Sequence, residues 1–222
     1  MEENKKVLEI CCDASIKTYP NGRTFGCAGA IATGYNIKKI KVIPDTTNNR
    51  SELFAMFLAI KLAEELQVMT RFDEVIIYSD SKFTVFGLKV WMDKWLSSRD
   101  ANGIMYGYNN EPVKNQELFG MIISYMVKNN LRFNIRHQKG HINQTEKKLQ
   151  IADRVFFESN GYHLDRETLS RISFYNDIID KTTKQVLMTT NPDMYPIINI
   201  NTDNSVMMCN YIIPSNYKEY IL

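Results

Sequence analysis

The order of hydrophobic runs limits this chain more than any other feature of its sequence. Three strand-like stretches joined by tight connections come first, and helix and strand alternate after them. Residues 7–12 and 25–32 are separated by Tyr19-Pro20-Asn21-Gly22, whose Asn-Gly pair is a turn signal. A third stretch, 37–43, alternates Ile and Val with Lys38, Lys39 and Lys41. Leu53, Met56, Phe57, Ile60 and Ala63 then recur at helical spacing, and Asn49 with Glu52 three residues later resembles a capping box. The spacing goes on to predict a strand at 74–79, a helix at 82–94, a polar loop or handle at 97–112, a helix at 118–127, a strand at 131–136 and a helix at 146–158. An antiparallel meander followed by helix–strand–helices–strand–helix predicts an α/β fold, a mixed sheet with helices on its faces.

After Gly161 the texture changes. Leu169, Ile172, Tyr175 and Ile179 predict one more amphipathic helix, and 184–190, 195–200 and 206–213 read as strands of a small β-meander. A chain of 222 residues exceeds the roughly 150 typical of one domain. The division expected is a domain over 1–161 and an extension over 162–222. The extension carries net −2 and the domain net +4, so the extension is expected to pack on the domain, bind protein or self-associate rather than clamp nucleic acid. Cys11, Cys12, Cys27 and Cys209 form no CxxC pair, and adjacent strand residues face opposite ways, so small buried thiols in a reducing compartment are expected. The first six residues have no apolar leader and no run approaches the ~18 apolar residues of a membrane span. A cytoplasmic protein with no membrane partner is the expectation.

Four carboxylates occupy telling places. Asp13 and Asp80 follow strand-like runs, Glu52 opens the long helix, and Asp153 lies in the apolar helix at 146–158. The carboxyl ends of strands are where open α/β sheets build their sites. Gathered together, four such groups would repel unless hard divalent cations neutralised them, and Mg²⁺ suits oxygen ligands. Each acid also has a purely structural reading: Asp80-Ser81 and Glu52 as helix caps, Asp13 as a turn former, Asp153 as a partner of Lys148 or Arg154 on a solvated face.

The ordered motifs resemble ribonuclease HI. Asp13-Ala14-Ser15 is similar to that family's Asp-Gly-Ser, and Thr47-Asn48-Asn49-Arg50-Ser51-Glu52-Leu53 to its Thr-Asn-Asn-Arg-x-Glu-Leu. Tyr78-Ser79-Asp80-Ser81, Trp91 with Trp95, the handle, the 112–118 stretch, Lys139-Gly140-His141 and Ala152-Asp153 follow in the family's order. The resemblance covers about residues 5–160. It implies a five-stranded mixed sheet, three strands antiparallel and two parallel, and an endoribonuclease that cuts the RNA strand of RNA–DNA hybrids with two Mg²⁺ ions, Mn²⁺ being an alternative. The products it implies carry 5′-phosphate and 3′-hydroxyl ends. By the same resemblance Asp13, Glu52, Asp80 and Asp153 would hold the ions and His141 would assist proton traffic or product release. Asn48 and Asn49 would read the 2′-hydroxyl, Thr47 and Asn115 would grip a DNA phosphate, and Trp91 and Trp95 would line the DNA channel, although two Trp four apart on a helix also suit a core. Lys128, Arg132, Arg136, Lys139, Lys147 and Lys148 face a single acid, Glu146, within 128–150, which suits a phosphate-facing surface.

The chain departs from the family in three ways. His141 and Asp153 are twelve positions apart, more than is usual there, Leu149-Gln150 replaces the customary Asn-Glu, and the handle carries only Arg99 as a cation. Two other readings stay open at this point: a DNA nuclease on the same fold, and a catalytically silent binding module.

Overall fold

A computed structural model describes residues 5–142, 145–196, 211 and 213–222. Strands β1 (Val7–Thr18), β2 (Thr24–Ala32), β3 (Ile37–Ile43), β4 (Glu74–Ser79) and β5 (Asn134–His137) form one sheet in the order β3-β2-β1-β4-β5. The β1–β2 and β2–β3 pairs are antiparallel, and β1–β4 and β4–β5 are parallel. The mixed sheet expected from the element order is therefore the sheet observed.

Side chains alternate between the two faces of β1 because a strand repeats every two residues. Leu8, Ile10, Cys12 and Ala14 enter the larger core, under α1 (Asn48–Met69) and α4 (Gln116–Lys128). Cys11 enters the other core, with Ile31, Ile76 and Tyr78, under α5 (Glu146–Asn160) and α6 (Arg166–Thr189). β1 runs six residues beyond the predicted end, so Asp13 lies within the strand, paired with Gly29 of β2. Its odd number puts it on the α6 face.

Between β4 and the handle, α2 (Lys82–Phe86) passes through a π-helical turn at Gly87–Trp91 into α3 (Met92–Ser97). The predicted single helix at 82–94 is interrupted where a side chain on Gly87 would meet the Phe119 ring at 2.4 Å.

The largest departure from expectation concerns 184–190. This run is not a strand but the last part of α6, which is continuous for 24 residues. Its Thr and Val content favours a strand locally, yet Ile172, Asn176, Ile179, Thr183 and Leu187 continue a buried stripe at three- and four-residue spacing, and packing overrides so weak a propensity. Gly29 allows the close fit: a β-carbon there would come within 2.7 Å of Ile179 Cδ1 and 2.9 Å of Thr183 Cγ2. The strands expected at 195–200 and 206–213 lie almost wholly outside the described residues.

The final residues return to the domain. Tyr217 is buried in the larger core and donates its hydroxyl to Asp93 at 2.5 Å, and Ile221 bridges to Phe133 in parallel beside β5. Among the described residues no helix is long and apolar enough to cross a membrane.

Candidate active site

Three of the four expected acids converge. Asp13 comes from the middle of β1, Asp80 from the residue after β4, and Glu52 from the first turns of α1. One carboxylate oxygen from each lies within 4.8 Å of the others. Helix α1 starts where it does because Thr47, rather than Asn49, is its N-cap, its hydroxyl accepting from Arg50 N. That start directs Glu52 toward the sheet. Gly140 lies against Asp80 so tightly that a β-carbon there would fall 1.9 Å from Asp80 Oδ2, which explains the glycine of Lys139-Gly140-His141.

Electrostatically this cluster is frustrated. Asp13 and Glu52 are only 3% and 7% exposed. Asp13 Oδ1 accepts from Ala14 N at 2.7 Å, whereas Asp13 Oδ2 and Glu52 Oε2 are buried without a hydrogen-bond partner. Burial, then the Asp80 charge, pushes the Asp13 carboxyl up to about 8 from an ordinary 3.8, with the Ala14 N–H opposing the rise. Glu52 is raised well above the carboxylate range by burial and then by Asp13, Asp80 and Asp180. Asp80 is raised by burial as well, against the hydrogen bond that Asn176 donates to it. Buried unpaired carboxylates are costly in the charged form. A divalent cation would satisfy both orphan oxygens and remove the repulsion, so the donor set fits hard oxygen-seeking ions.

Asp153 is not brought to this cluster. It stands on α5, with Oδ2 at 2.8 Å from His163 Nδ1, and His163 stacks on Phe157 at 4.4 Å between ring centroids. Ala152 and Phe156 supply the buried face of α5, and that face sets the helix against β5 and α6. The acid that does line the cleft beside Asp13, Glu52 and Asp80 is Asp180 of α6. The sequence did hold a signal for it: Ser173, Asn176, Asp180 and Thr183 are polar residues on a helix face otherwise carrying Leu169, Ile172, Ile179 and Leu187. Polar side chains on a core-facing stripe need partners, and three of these four find theirs on the sheet or at the cleft.

The cleft holds about 360 Å³ and is also lined by Ser15, Asn48, Ser81, His141 and Lys184. His141 is an exposed residue with φ of 54°, its Nδ1 3.5 Å from Asp180 Oδ2. Asn48 and Asn49 are exposed in the first turn of α1, Asn48 at the cleft itself. Thr47 caps that helix and Asn115 caps α4 in a left-handed conformation with φ of 58°. Arg50 lies between them, donating to Asn115 Oδ1 at 3.2 Å and paired with Glu117. The two tryptophans divide: Trp95 is 7% exposed and packs edge-on against Phe119, while Trp91 is 39% exposed. Of the two, Trp91 presents its ring to solvent and Trp95 is part of the core. Arg136, counted above with the phosphate-facing cations, is turned onto Tyr162 and toward Glu74.

The RNase H family model matches residues 5–158. This chain belongs to the RNase H family. Ribonuclease H of Francisella philomiragia subsp. philomiragia is 37% identical over 119 residues, covering 53% of this chain and 70% of that protein. Ribonuclease H of Rickettsia akari is 33% identical over 101 residues, covering 46% of this chain and 58% of that protein. The chain thus spans a little over half the length of the Rickettsia relatives it matches. The crystal structure of LC9-RNase H1, a type 1 RNase H, superposes with a TM-score of 0.46 at 19% identity, covering 81% of this chain and 87% of that one. The family assignment stands on the sequence match. Asp180 lies beyond residue 158, outside the matched segment.

Proposed function

We propose that this RNase H family chain is an endoribonuclease that hydrolyses the RNA strand of RNA–DNA hybrids with two divalent ions, leaving 5′-phosphate and 3′-hydroxyl ends. The observation that carries this reading is the trio Asp13, Glu52 and Asp80, with carboxylate oxygens within 4.8 Å of one another and two of those groups keeping buried, unpartnered oxygens. Mg²⁺ is the physiological choice on donor chemistry, with Mn²⁺ able to replace it. Bound ions supply Lewis-acid activation of water and stabilisation of the leaving oxygen in an in-line displacement.

The chain's own residues do the rest. Asp13, Glu52 and Asp80 would hold the ions at the floor of the open cleft, and their mutual repulsion favours loading. Asn48 and Asn49 present amides at the mouth of the cleft, where they can both donate to and accept from the 2′-hydroxyl that separates RNA from DNA. Thr47 and Asn115 flank Arg50 and offer polar groups to a phosphate of the DNA strand, while the exposed face of Trp91 lies farther along α2–α3 for a sugar or base. His141, exposed at the rim beside a carboxylate, can move a proton between cleft and solvent.

The test is cleavage of one labelled RNA strand as an RNA–DNA hybrid, as double-stranded RNA and as single-stranded RNA, each with Mg²⁺ or EDTA. Cutting confined to the hybrid with Mg²⁺ is the expected result. Equal cutting of DNA duplexes would favour a DNA nuclease, and no cutting in any context would favour a binding module.

A further inference from the structure

We infer that α6, which lies outside the family segment, completes the active centre, with Asp180 as its fourth carboxylate in place of Asp153. The inference rests on the proposed divalent-metal reading and specifies which chain segment finishes that site.

Three independent contacts fix α6 over the trio. Ser15 Oγ and Thr183 Oγ1 are hydrogen-bonded at 2.8 Å in the interior, two residues along β1 from Asp13. Gln138 Nε2 donates to Asn176 Oδ1 at 2.7 Å, and Asn176 Nδ2 donates to Asp80 Oδ2 at 3.4 Å, so α6 already supports one of the three acids. Gly29, the register partner of Asp13, admits Ile179 and Thr183 where any side chain would hold the helix off. Asn176, Asp180 and Thr183 or Lys184 recur at the spacing of successive helical turns. A helix seated by Asn176 and Thr183 necessarily carries Asp180, between them, to the cleft.

Asp180 is 6% exposed and has a cation already on it: Lys184 Nζ lies 2.7 Å from its Oδ2. Asp13 Oδ2 and Glu52 Oε2 on the facing wall are buried and unpartnered, and Lys184 reaches Asp13 only through its field, not by a contact. Divalent ions entering the cleft therefore meet acids on both walls. Asp153 is set apart by position: its Oδ2 is paired with His163 and its Oδ1 is buried without a partner, but it does not line the cleft.

The experiment is calorimetric titration of the full chain with Mn²⁺ and with Mg²⁺, comparing the parent, Asp13→Asn, Asp180→Asn and Asp153→Asn, each checked for folding by circular dichroism. Asp180→Asn should weaken binding of at least one ion by about tenfold or more, as Asp13→Asn should, while Asp153→Asn stays within about twofold of the parent. Metal affinity retained in Asp180→Asn, beside a loss in Asp13→Asn, would overturn this assignment and leave the proposed function standing. An Asp13→Asn variant that binds as the parent does would sink both. A measurement on the unaltered chain guards against misfolded variants: Fe²⁺ loaded in place of Mg²⁺, with ascorbate and peroxide, cuts backbone close to the ion. Fragments ending near residue 180 are expected, and fragments near 153 without any near 180 would overturn the inference.

Discussion

The two walls of the cleft are built by different means. On the sheet wall, Asp13, Glu52 and Asp80 are placed by backbone geometry: a strand register, a helix start and a strand end. On the helix wall, Asn176, Asp180 and Lys184 are placed by where one long helix docks, far along the chain from the strands it covers. A strand register is set by neighbours in the ladder and carries a side chain to a definite face. The position of a docked helix depends on every contact beneath it, so the helix wall is the more easily moved of the two.

Removing the helix wall altogether should have the largest effect. A chain ending at Gly161 would uncover Cys11, Ile31, Ile76 and Tyr78, which share a core with Leu169, Ile172 and Ile179. Burying each large apolar side chain contributes about 1.5–3 kcal/mol, and a typical domain has only about 5–15 kcal/mol in all. The truncated chain should show no cooperative thermal transition and no cleavage. A truncated protein that melts cooperatively and cuts hybrid would erase the distinction between the walls, leaving α6 as an appendage.

On the sheet wall, Asp13→Asn should reduce cleavage by more than the roughly 10–100-fold that loss of a residue supporting a metal ligand costs. Stability should move the other way. The Asp13 carboxyl titrates at about 8 in the folded chain against 3.8 ordinarily, so across that window the unfolded chain has released a proton that the folded chain retains. In metal-free buffer the parent's melting temperature should therefore fall as pH rises from about 4 to about 8. Asp13→Asn should make that decline shallower, though Glu52 and Asp80, also raised, leave part of it in place. A variant less stable than the parent at pH 8 without metal would show that Asp13 is a structural residue first.

The contrast between the walls also explains what could be read before the structure. The sheet's composition followed from the order of apolar runs, and the trio followed from acids that succeed strand-like stretches or open a helix, since those places have fixed orientations. Asp13 shows the margin of error: β1 is six residues longer than its apolar run, because Ser15 and Lys17 belong to the ladder even though they break the hydrophobic pattern. The fourth acid was only partly legible: the polar stripe on α6 marked Asp180, but nothing in the spacing placed that stripe over the trio. Asp153 and Asp180 are both acids in amphipathic helices, and sequence spacing does not say which helix lies across β1 and β2. That choice is made by Gly29, whose missing side chain has meaning only once Ile179 and Thr183 are seen against it. The 184–190 run misled similarly, its β-branched residues being held helical by the sheet beneath.

Gly29→Ala probes that choice at the surface where the walls meet. The added β-carbon would stand 2.7 Å from Ile179 Cδ1, a movable side-chain end, so α6 should shift rather than detach, at about 1–3 kcal/mol for overpacking. Metal affinity should weaken along with stability, because the shift carries Asp180 with it. A loss of stability with unchanged Mn²⁺ binding would separate the helix wall from the metal centre.

The smallest effect should come from the hydrogen bond that joins the walls, and a double-mutant cycle suits it. Ser15 and Thr183 meet through buried hydroxyls, and Thr183 also donates to the Asp180 carbonyl at 2.9 Å, so Ser15 serves as donor and Thr183 as acceptor between them. Thr183→Val preserves shape but strands the Ser15 hydroxyl, which should cost about 1–3 kcal/mol as an unsatisfied buried group. Ser15→Ala leaves Thr183 its bond to the helix and should cost less. The combination removes both partners, so its cost should fall below the sum of the two by about 0.5–1.5 kcal/mol, the net worth of one hydrogen bond. Measured by denaturant melts, a coupling of zero would mean that α6 does not rest on β1 at this point in solution, and Asp180 would lose the contact that holds it over Asp13.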